Sequence, residues 1–119
     1  MARTLSLRVA SAAQALDRFE AGWNHLAEGG RLAPERVLTF AELPLLLRTL
    51  TPARWALLGR LRADGPLSVY ELAKRLQRDY KNVHTDVRRL AELGLIARRE
   101  HALVAVEWDA VRAELRFAA

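Results

Sequence analysis

Hydrophobic residues near the start of the chain recur first with the period of a strand and then with that of a helix. Leucine and valine occupy every second position over residues 5–9, which predicts a short half-buried strand. Over residues 12–26 the apolar spacing is three and four, which predicts a helix that Ser11 caps and Gly29-Gly30 ends. A second short strand is predicted over residues 37–40.

Residues 42–66 contain the start and stop signals of two helices. The first is predicted over residues 42–50, with Pro44 in its first turn. Thr51-Pro52 starts the second, because a hydroxyl can cap a helix and proline suits the first helical position. Asp64-Gly65-Pro66 ends it, and its predicted inner face is Trp55, Leu58 and Leu61.

Two further helices follow, joined by a short polar turn at residues 77–79. Ser68 and Glu71 have the spacing of a capping box, which starts the first of them. Asp79 can cap the second, and Gly94 can end it. The predicted buried positions are Val69, Leu72, Ala73 and Leu76 in the first helix and Val83, Val87 and Leu90 in the second.

After Gly94 the pattern changes to that of strands. Residues 95–99 and 103–108 are β-prone runs joined near Glu100-His101, which predicts a hairpin. Asp109 is predicted to cap a last helix that contains Val111, Leu115 and Phe117. Three helices followed by a hairpin over residues 51–107 is the order of a winged helix-turn-helix. The predicted fold is therefore α+β and mainly helical, with a strand–helix–strand extension over 1–40, a winged helix-turn-helix domain over 41–108 and a C-terminal helix over 109–119.

The net positive charge lies in the middle of this pattern. The chain has 19 Lys and Arg, 14 Asp and Glu, a net charge of +5 and a pI of about 10.7. Residues 1–50 carry six Arg and five acids, residues 51–101 eleven Lys or Arg and six acids, and residues 102–119 two Arg and three acids, which gives +1, +5 and −1. A basic stretch confined to one domain favours a nucleic-acid partner, although net charge also keeps proteins soluble.

The outward face of the predicted helix at 80–93 carries side chains of the types that read DNA. With its valines turned inward, the 100° step of a helix turns Lys81, Thr85 and Arg88 outward. The first turns of such a helix can enter the major groove and contact base edges. The predicted base-reading residues are Lys81, Asn82, His84 and Thr85, the predicted DNA-backbone contacts are Ser68, Arg78, Tyr80, Arg88 and Arg89, and the predicted wing residues are Arg98, Arg99 and His101.

Other chemistries find little support in the sequence. There is no cysteine, and His25, His84 and His101 are too scattered to indicate a metal site. Gly29-Gly30 lacks the Lys and Ser or Thr of a phosphate-binding loop, so neither an enzyme nor a cofactor is predicted. Trp55 and Trp108 are predicted core residues. No apolar run reaches the roughly 18 residues of a membrane span and no signal peptide is evident, so a cytoplasmic protein is expected.

The segment LTPARWALLGRLRADGPLSVYELAKRLQRDYKNVHTDVRRLAELGLI resembles the MarR-like winged-helix proteins, a group of predicted transcriptional regulators that includes antitoxins of two-gene toxin–antitoxin modules. The likeness covers residues 36–97, and in its most specific part, SVYELAKRLQRDYKNVHTDVRRLAELGLI, R-D-x-K-N-V opens the recognition helix. The resemblance implies DNA binding by Lys81, Asn82, Thr85 and Arg88, usually by a dimer, and autorepression beside a toxin gene. After residue 97 the chain departs from the pattern, because its wing is short.

These observations predict a sequence-specific regulator of transcription that binds double-stranded DNA as a repressor, with an autoregulating antitoxin and its cognate toxin protein as the narrower possibility. The alternative is a protein-interaction module whose winged helix docks a partner protein. The strand–helix–strand over 1–40 is too small to enclose a core, so it either packs on the winged helix or forms a homodimer. Under the dimer hypothesis the interface residues are Leu5, Leu7, Val9, Leu16, Phe19 and Trp23.

Overall fold

The computed structural model describes residues 2–10, 36–115 and 117, and within them it has four helices and two three-stranded sheets. This confirms the α+β class. In chain order the elements are β1 (Thr4–Val9), β2 (Val37–Phe40), α1 (Leu43–Thr49), α2 (Pro52–Asp64), β3 (Leu67–Ser68), α3 (Val69–Leu76), α4 (Tyr80–Glu92), β4 (Ala97–Arg98), β5 (Leu103–Ala105) and β6 (Ala110–Glu114). The helix predicted over 12–26, with Ser11 and Gly29-Gly30 at its ends, lies outside the described residues. No helix in the described ranges has both the length and the apolar character that crossing a membrane requires.

The chain divides into two units, which differ from the predicted domains. One unit is Met1–Thr49 together with Ala110–Ala119, and the other is Leu50–Asp109. Helix α1 therefore belongs with the N-terminal strands, although the sequence assigned it to the winged helix. The C-terminal segment also joins the first unit, so it is not a separate appendage.

The first unit contains a parallel sheet with β1 at its centre. Strand β2 pairs with one edge of β1 and β6 with the other, so that Leu7 lies opposite Leu38 on one side and Ala113 on the other. Both predicted strands are confirmed. Strand β1 has no free edge, because β2 and β6 pair with its two sides. Leu5 and Leu7 are each only 4% exposed within the single chain.

The prediction of a C-terminal helix after Asp109 is wrong. Residues Ala110–Glu114 form β6, whose backbone pairs with β1 from Thr4 opposite Ala110 to Arg8 opposite Glu114. Asp109 therefore has no helix to cap, and its Oδ1 accepts a hydrogen bond from Arg62 Nη2 at 2.7 Å. A single short helix is marginal in water, whereas a strand beside β1 bonds its backbone along the whole pairing.

The second unit has its core between α2, α3 and α4. Helix α2 begins as predicted, because Thr51 Oγ1 accepts from the backbone N–H of Arg54 at 3.2 Å and Pro52 is its first residue. The prediction that Trp55 is in the core is wrong, since it is 49% exposed. Leu57 is buried instead, and two helical steps of 100° turn Trp55 to nearly the opposite side. The core residues of this unit are Leu57, Leu58, Leu61, Leu67, Leu72, Ala73, Val83, Val87, Leu90, Leu95, Ile96, Val104 and Ala105.

The turn between α3 and α4 is held by local backbone and side-chain bonds. Ser68 Oγ accepts from the backbone N–H of Glu71 at 3.1 Å and so caps α3, as predicted. Gln77 ends α3 in the left-handed conformation, with φ 54° and ψ 45°, and the backbone N–H of Arg78 donates to the carbonyl of Ala73 at 3.1 Å. Asp79 caps α4 by accepting from the backbone N–H of Asn82 at 3.3 Å. The position and hand of the turn therefore depend on Gln77.

Replacing Gln77 with glycine is expected to stabilise the protein. A residue with a Cβ destabilises the folded state by about 1–2 kcal/mol in the left-handed conformation, and glycine removes this cost. Glycine also makes the unfolded chain more flexible, which lowers the net stabilisation to about half of that value. The free energy of unfolding should rise by roughly 0.5–1 kcal/mol in urea denaturation. Gln77→Ala is the matched control, because it keeps the strained conformation, and it should show no gain. Equal stability of the two variants would contradict the argument.

The hairpin after α4 is shorter than predicted. Gly94 ends the helix with φ 84°, and the backbone N–H groups of Leu95 and Ile96 both donate to the carbonyl of Leu90, so these residues close the helix end and do not extend β4. Strands β4 and β5 pair antiparallel, and β3, which the sequence pattern missed, pairs with the other edge of β5. The connection lies at Glu100–Ala102, as predicted.

Candidate nucleic-acid interface

Helix α4 separates an apolar face from a polar one. Val83, Val87 and Leu90 are at most 1% exposed, which confirms the predicted inner face. The residues that the sequence assigned to base reading and to part of the DNA-backbone contact are all exposed on the remaining surface of the helix. We call this set the α4 face; it comprises Tyr80, Lys81, Asn82, His84, Thr85, Arg88 and Arg89.

Short-range contacts organise the N-terminal half of the α4 face. The rings of Tyr80 and His84 lie one helical turn apart, with centroids 5.8 Å from each other and a tilt of 39°. Thr85 Oγ1 donates to the carbonyl of Lys81 at 3.0 Å. Its hydroxyl hydrogen is therefore engaged, and the oxygen remains free to accept a hydrogen bond. Thr85 is thus suited to accept from the amino group of a base.

The cations of the proposed interface fall into two groups. Arg89 lies 3.4 Å from Glu92, and Arg99 lies 3.8 Å from Glu107, so part of their charge is balanced within the protein. Across the described ranges, Lys81, Arg88 and Arg98 form no ion pair. These three exposed cations are the ones best able to neutralise an external anion.

The predicted wing residues Arg98, Arg99 and His101 are all exposed on the hairpin. His101 and Ala102 both have positive φ, 61° and 58°, as the two central residues of tight hairpin turns require. The base of the hairpin is fixed to the end of α4, because Trp108 Nε1 donates to the carbonyl of Gly94 at 2.8 Å. Trp108 is half-buried, so its role is that of an anchor at the core boundary.

Arg78 and Ser68, which the sequence assigned to DNA-backbone contacts, both form hydrogen bonds within the protein. Arg78 Nη2 donates to Asp86 Oδ2 at 2.8 Å, and Arg54 Nε donates to Asp86 Oδ1 at 3.0 Å. Ser68 uses its oxygen as the cap of α3. We call Arg54, Arg78 and Asp86 the Asp86 cluster. Sequence reasoning missed it, although an acid directly beside the buried stripe of a basic helix was a usable signal.

The residues of the hypothetical dimer interface are only partly accessible. Leu5 and Leu7 are buried within one chain, which removes them as contacts for a second chain, and Val9 is half-buried. Leu16, Phe19 and Trp23 lie outside the described residues. In the ranges that the structure covers, no group of three or more His, Asp or Glu side chains could hold a metal ion.

Comparison with known proteins places the chain in a family. No curated protein matches it. A solved structure of a protein with unknown function from Listeria innocua Clip11262 is 22% identical, with a TM-score of 0.45, and the match covers 79% of this chain and 64% of that one. This chain therefore spans just under two thirds of the length of that protein. Residues 49–113, more than half of the chain, match the model of the uncharacterised HVO_A0114 family, and the chain belongs to that family.

Proposed function

We propose that this protein is a sequence-specific transcriptional regulator that binds double-stranded DNA through a winged helix-turn-helix formed by α2, α3, α4 and the β4–β5 hairpin. The observation that carries the proposal is the α4 face, where unpaired cations flank neutral hydrogen-bonding side chains. A helix that only faces solvent does not require cations beside neutral hydrogen-bonding side chains. DNA recognition requires both, because cations bind phosphates and neutral donors and acceptors bind base edges.

The proposed mechanism places α4 in the major groove. Its N-terminal residues Asn82 and Thr85 then meet base edges, and Arg88, one turn later, meets a phosphate. Arg98 on the hairpin and Lys81 in the first turn of α4 contact the backbone beside the groove, so that Lys81 here binds a phosphate and not the base edge predicted from the sequence. Occupation of a site that overlaps a promoter blocks transcription, so the regulator acts as a repressor. By the resemblance to MarR-like proteins, the proposal extends to a homodimer on two half-sites and to autoregulation beside a toxin gene.

The test is titration of a fluorescent duplex of about 30 base pairs, roughly three helical turns, taken from directly upstream of the protein's own reading frame. If Lys81, Arg88 and Arg98 of one subunit each neutralise one phosphate, a plot of log K per bound subunit against log salt concentration should have a slope of about −2.7 over about 50–200 mM salt. A scrambled duplex should bind more weakly. If neither duplex binds at the lowest salt, the alternative, a module that docks a partner protein, replaces this proposal.

Replacing Asn82 with alanine should change sequence preference more than salt dependence. An asparagine side chain can bond both N6 and N7 of adenine, and the described part of the chain gives Asn82 no competing side-chain partner. Its loss should cost about 1–3 kcal/mol on the preferred duplex and relax the preference at one position. Selection of bound sequences from a random duplex pool measures this. Arg88→Ala is the control, because a phosphate contact should flatten the salt slope by about one unit and leave the preference intact. The reverse pattern would exchange the two assigned roles.

A further inference from the structure

We propose that Asp86 is a positioning residue that fixes the orientation of α4 and thereby sets the sequence specificity of DNA binding. This inference rests on the proposed function. It assigns to a residue on the border between the buried stripe of α4 and the α4 face a part in how that face meets DNA.

The Asp86 cluster joins three segments at one carboxylate. Arg54 comes from the first turn of α2, Arg78 from the turn before α4, and Asp86 from the middle of α4. The donor–acceptor distances are 3.0 Å to Arg54 Nε and 2.8 Å to Arg78 Nη2, so each carboxylate oxygen accepts one bond. The backbone N–H of Arg54 is itself held by Thr51 Oγ1. Rotation or sliding of α4 would therefore break bonds to two separate anchors.

The cluster is shielded enough for these bonds to matter. The side chains of Asp86, Arg54 and Arg78 are 15%, 18% and 28% exposed, whereas the surface pair of Arg48 and Glu42 is 68% and 60% exposed. Arg78 Nη1 is buried with no hydrogen-bond partner among the described residues. The position of the guanidinium beside Asp86 therefore leaves one of its nitrogens without a hydrogen bond. Ion pairs with this degree of burial resist replacement by water better than exposed pairs do.

Asp86 also holds two cations that would otherwise repel each other. Two guanidinium groups share one carboxylate, so the cluster carries one excess positive charge. Without the carboxylate charge the two arginines lose their common partner, and α4 loses its charged bonds to both of them. Base contacts need α4 in one orientation, whereas attraction to phosphates needs only charge. Loss of Asp86 should therefore lower specific binding while it leaves or strengthens nonspecific binding.

The test compares Asp86→Asn with Glu92→Gln on the upstream duplex and on its scrambled counterpart, at a temperature where both variants are folded. Glu92→Gln is matched, because it removes one negative charge from the same helix at a side chain whose one bond among the described residues is to Arg89. For Asp86→Asn, the ratio of specific to nonspecific affinity should fall on the order of tenfold, as it does for one mismatched base pair. Glu92→Gln should keep the ratio and strengthen both affinities alike.

A structural readout that needs no DNA accompanies this comparison. Backbone amides of α4 should exchange with solvent faster in Asp86→Asn than in wild type, and Glu92→Gln should leave the exchange of residues 80–90 unchanged. Unchanged exchange in Asp86→Asn overturns the positioning role. An unchanged affinity ratio with faster exchange overturns the specificity role. If the wild-type protein binds neither duplex, the proposed function and the specificity role fall together, and the exchange rates still decide whether Asp86 positions α4.

Discussion

Replacing Lys81, Arg88 and Arg98 together with alanine is expected to weaken binding to the upstream duplex by about 500-fold per bound subunit at 0.1 M salt. Each phosphate contact contributes about 0.9 to the salt slope, which is about 0.9 decades of affinity at this concentration, so three contacts give about 2.7 decades. The slope itself should flatten by about 2.7. Thermal stability should change little, because these side chains are exposed and form no ion pair within the described part of the chain.

The matched control removes the same charge from elsewhere. Arg48, Arg60 and Arg112 are exposed arginines outside the α4 face and the hairpin. Their replacement with alanine gives the same net charge as the triple variant, +2 from the original +5. If binding depends on where the cations lie, the control should retain most of its affinity. A loss as large as that of the triple variant would show that only net charge attracts the DNA, and would remove the α4 face as the contact surface.

The starts and ends of the described helices in the second unit could be predicted because their causes are local. Thr51, Ser68 and Asp79 each accept from a backbone N–H three residues later. Gly94 adopts the positive φ that ends α4. The inner face of α4 follows equally from spacing, since Val83, Val87 and Leu90 recur with the period of a helix. The helices that carry the candidate site could therefore be predicted from helix caps, a terminating glycine and the spacing of apolar residues.

The errors come from pairing between distant residues. Strand β6 forms because Ala110 lies opposite Thr4, more than a hundred positions earlier in the chain, and no local signal in residues 109–117 records that partner. The side of α2 that is buried depends in the same way on α3 and α4, which select Leu57 over Trp55. The Asp86 cluster could be predicted only in part. The position of Asp86 beside the buried stripe of α4 was visible, but its arginine partners come from two other segments.

Replacing Leu72 with alanine is expected to produce a large loss of stability. Leu72 is 0% exposed in α3, the helix that packs against both α2 and α4. Truncation of a fully buried leucine costs about 2–5 kcal/mol, a large part of the roughly 5–15 kcal/mol that stabilises a typical domain. Urea denaturation followed by circular dichroism measures the loss. Tyr70→Ala on the same helix is the control, because Tyr70 is 70% exposed and its truncation should cost at most about 0.5 kcal/mol.

The same variant connects the fold to the proposed function. DNA that binds only the folded protein stabilises it by about 2.7 kcal/mol when present at a hundred times Kd. The upstream duplex should therefore raise the midpoint of thermal unfolding of Leu72→Ala by nearly as much as that of wild type, because Leu72 is buried and does not contact the duplex. A shift in wild type but none in Leu72→Ala would mean that the variant no longer presents α4 correctly. A loss of less than about 1 kcal/mol in urea would instead show that α3 is not the packing centre of this unit.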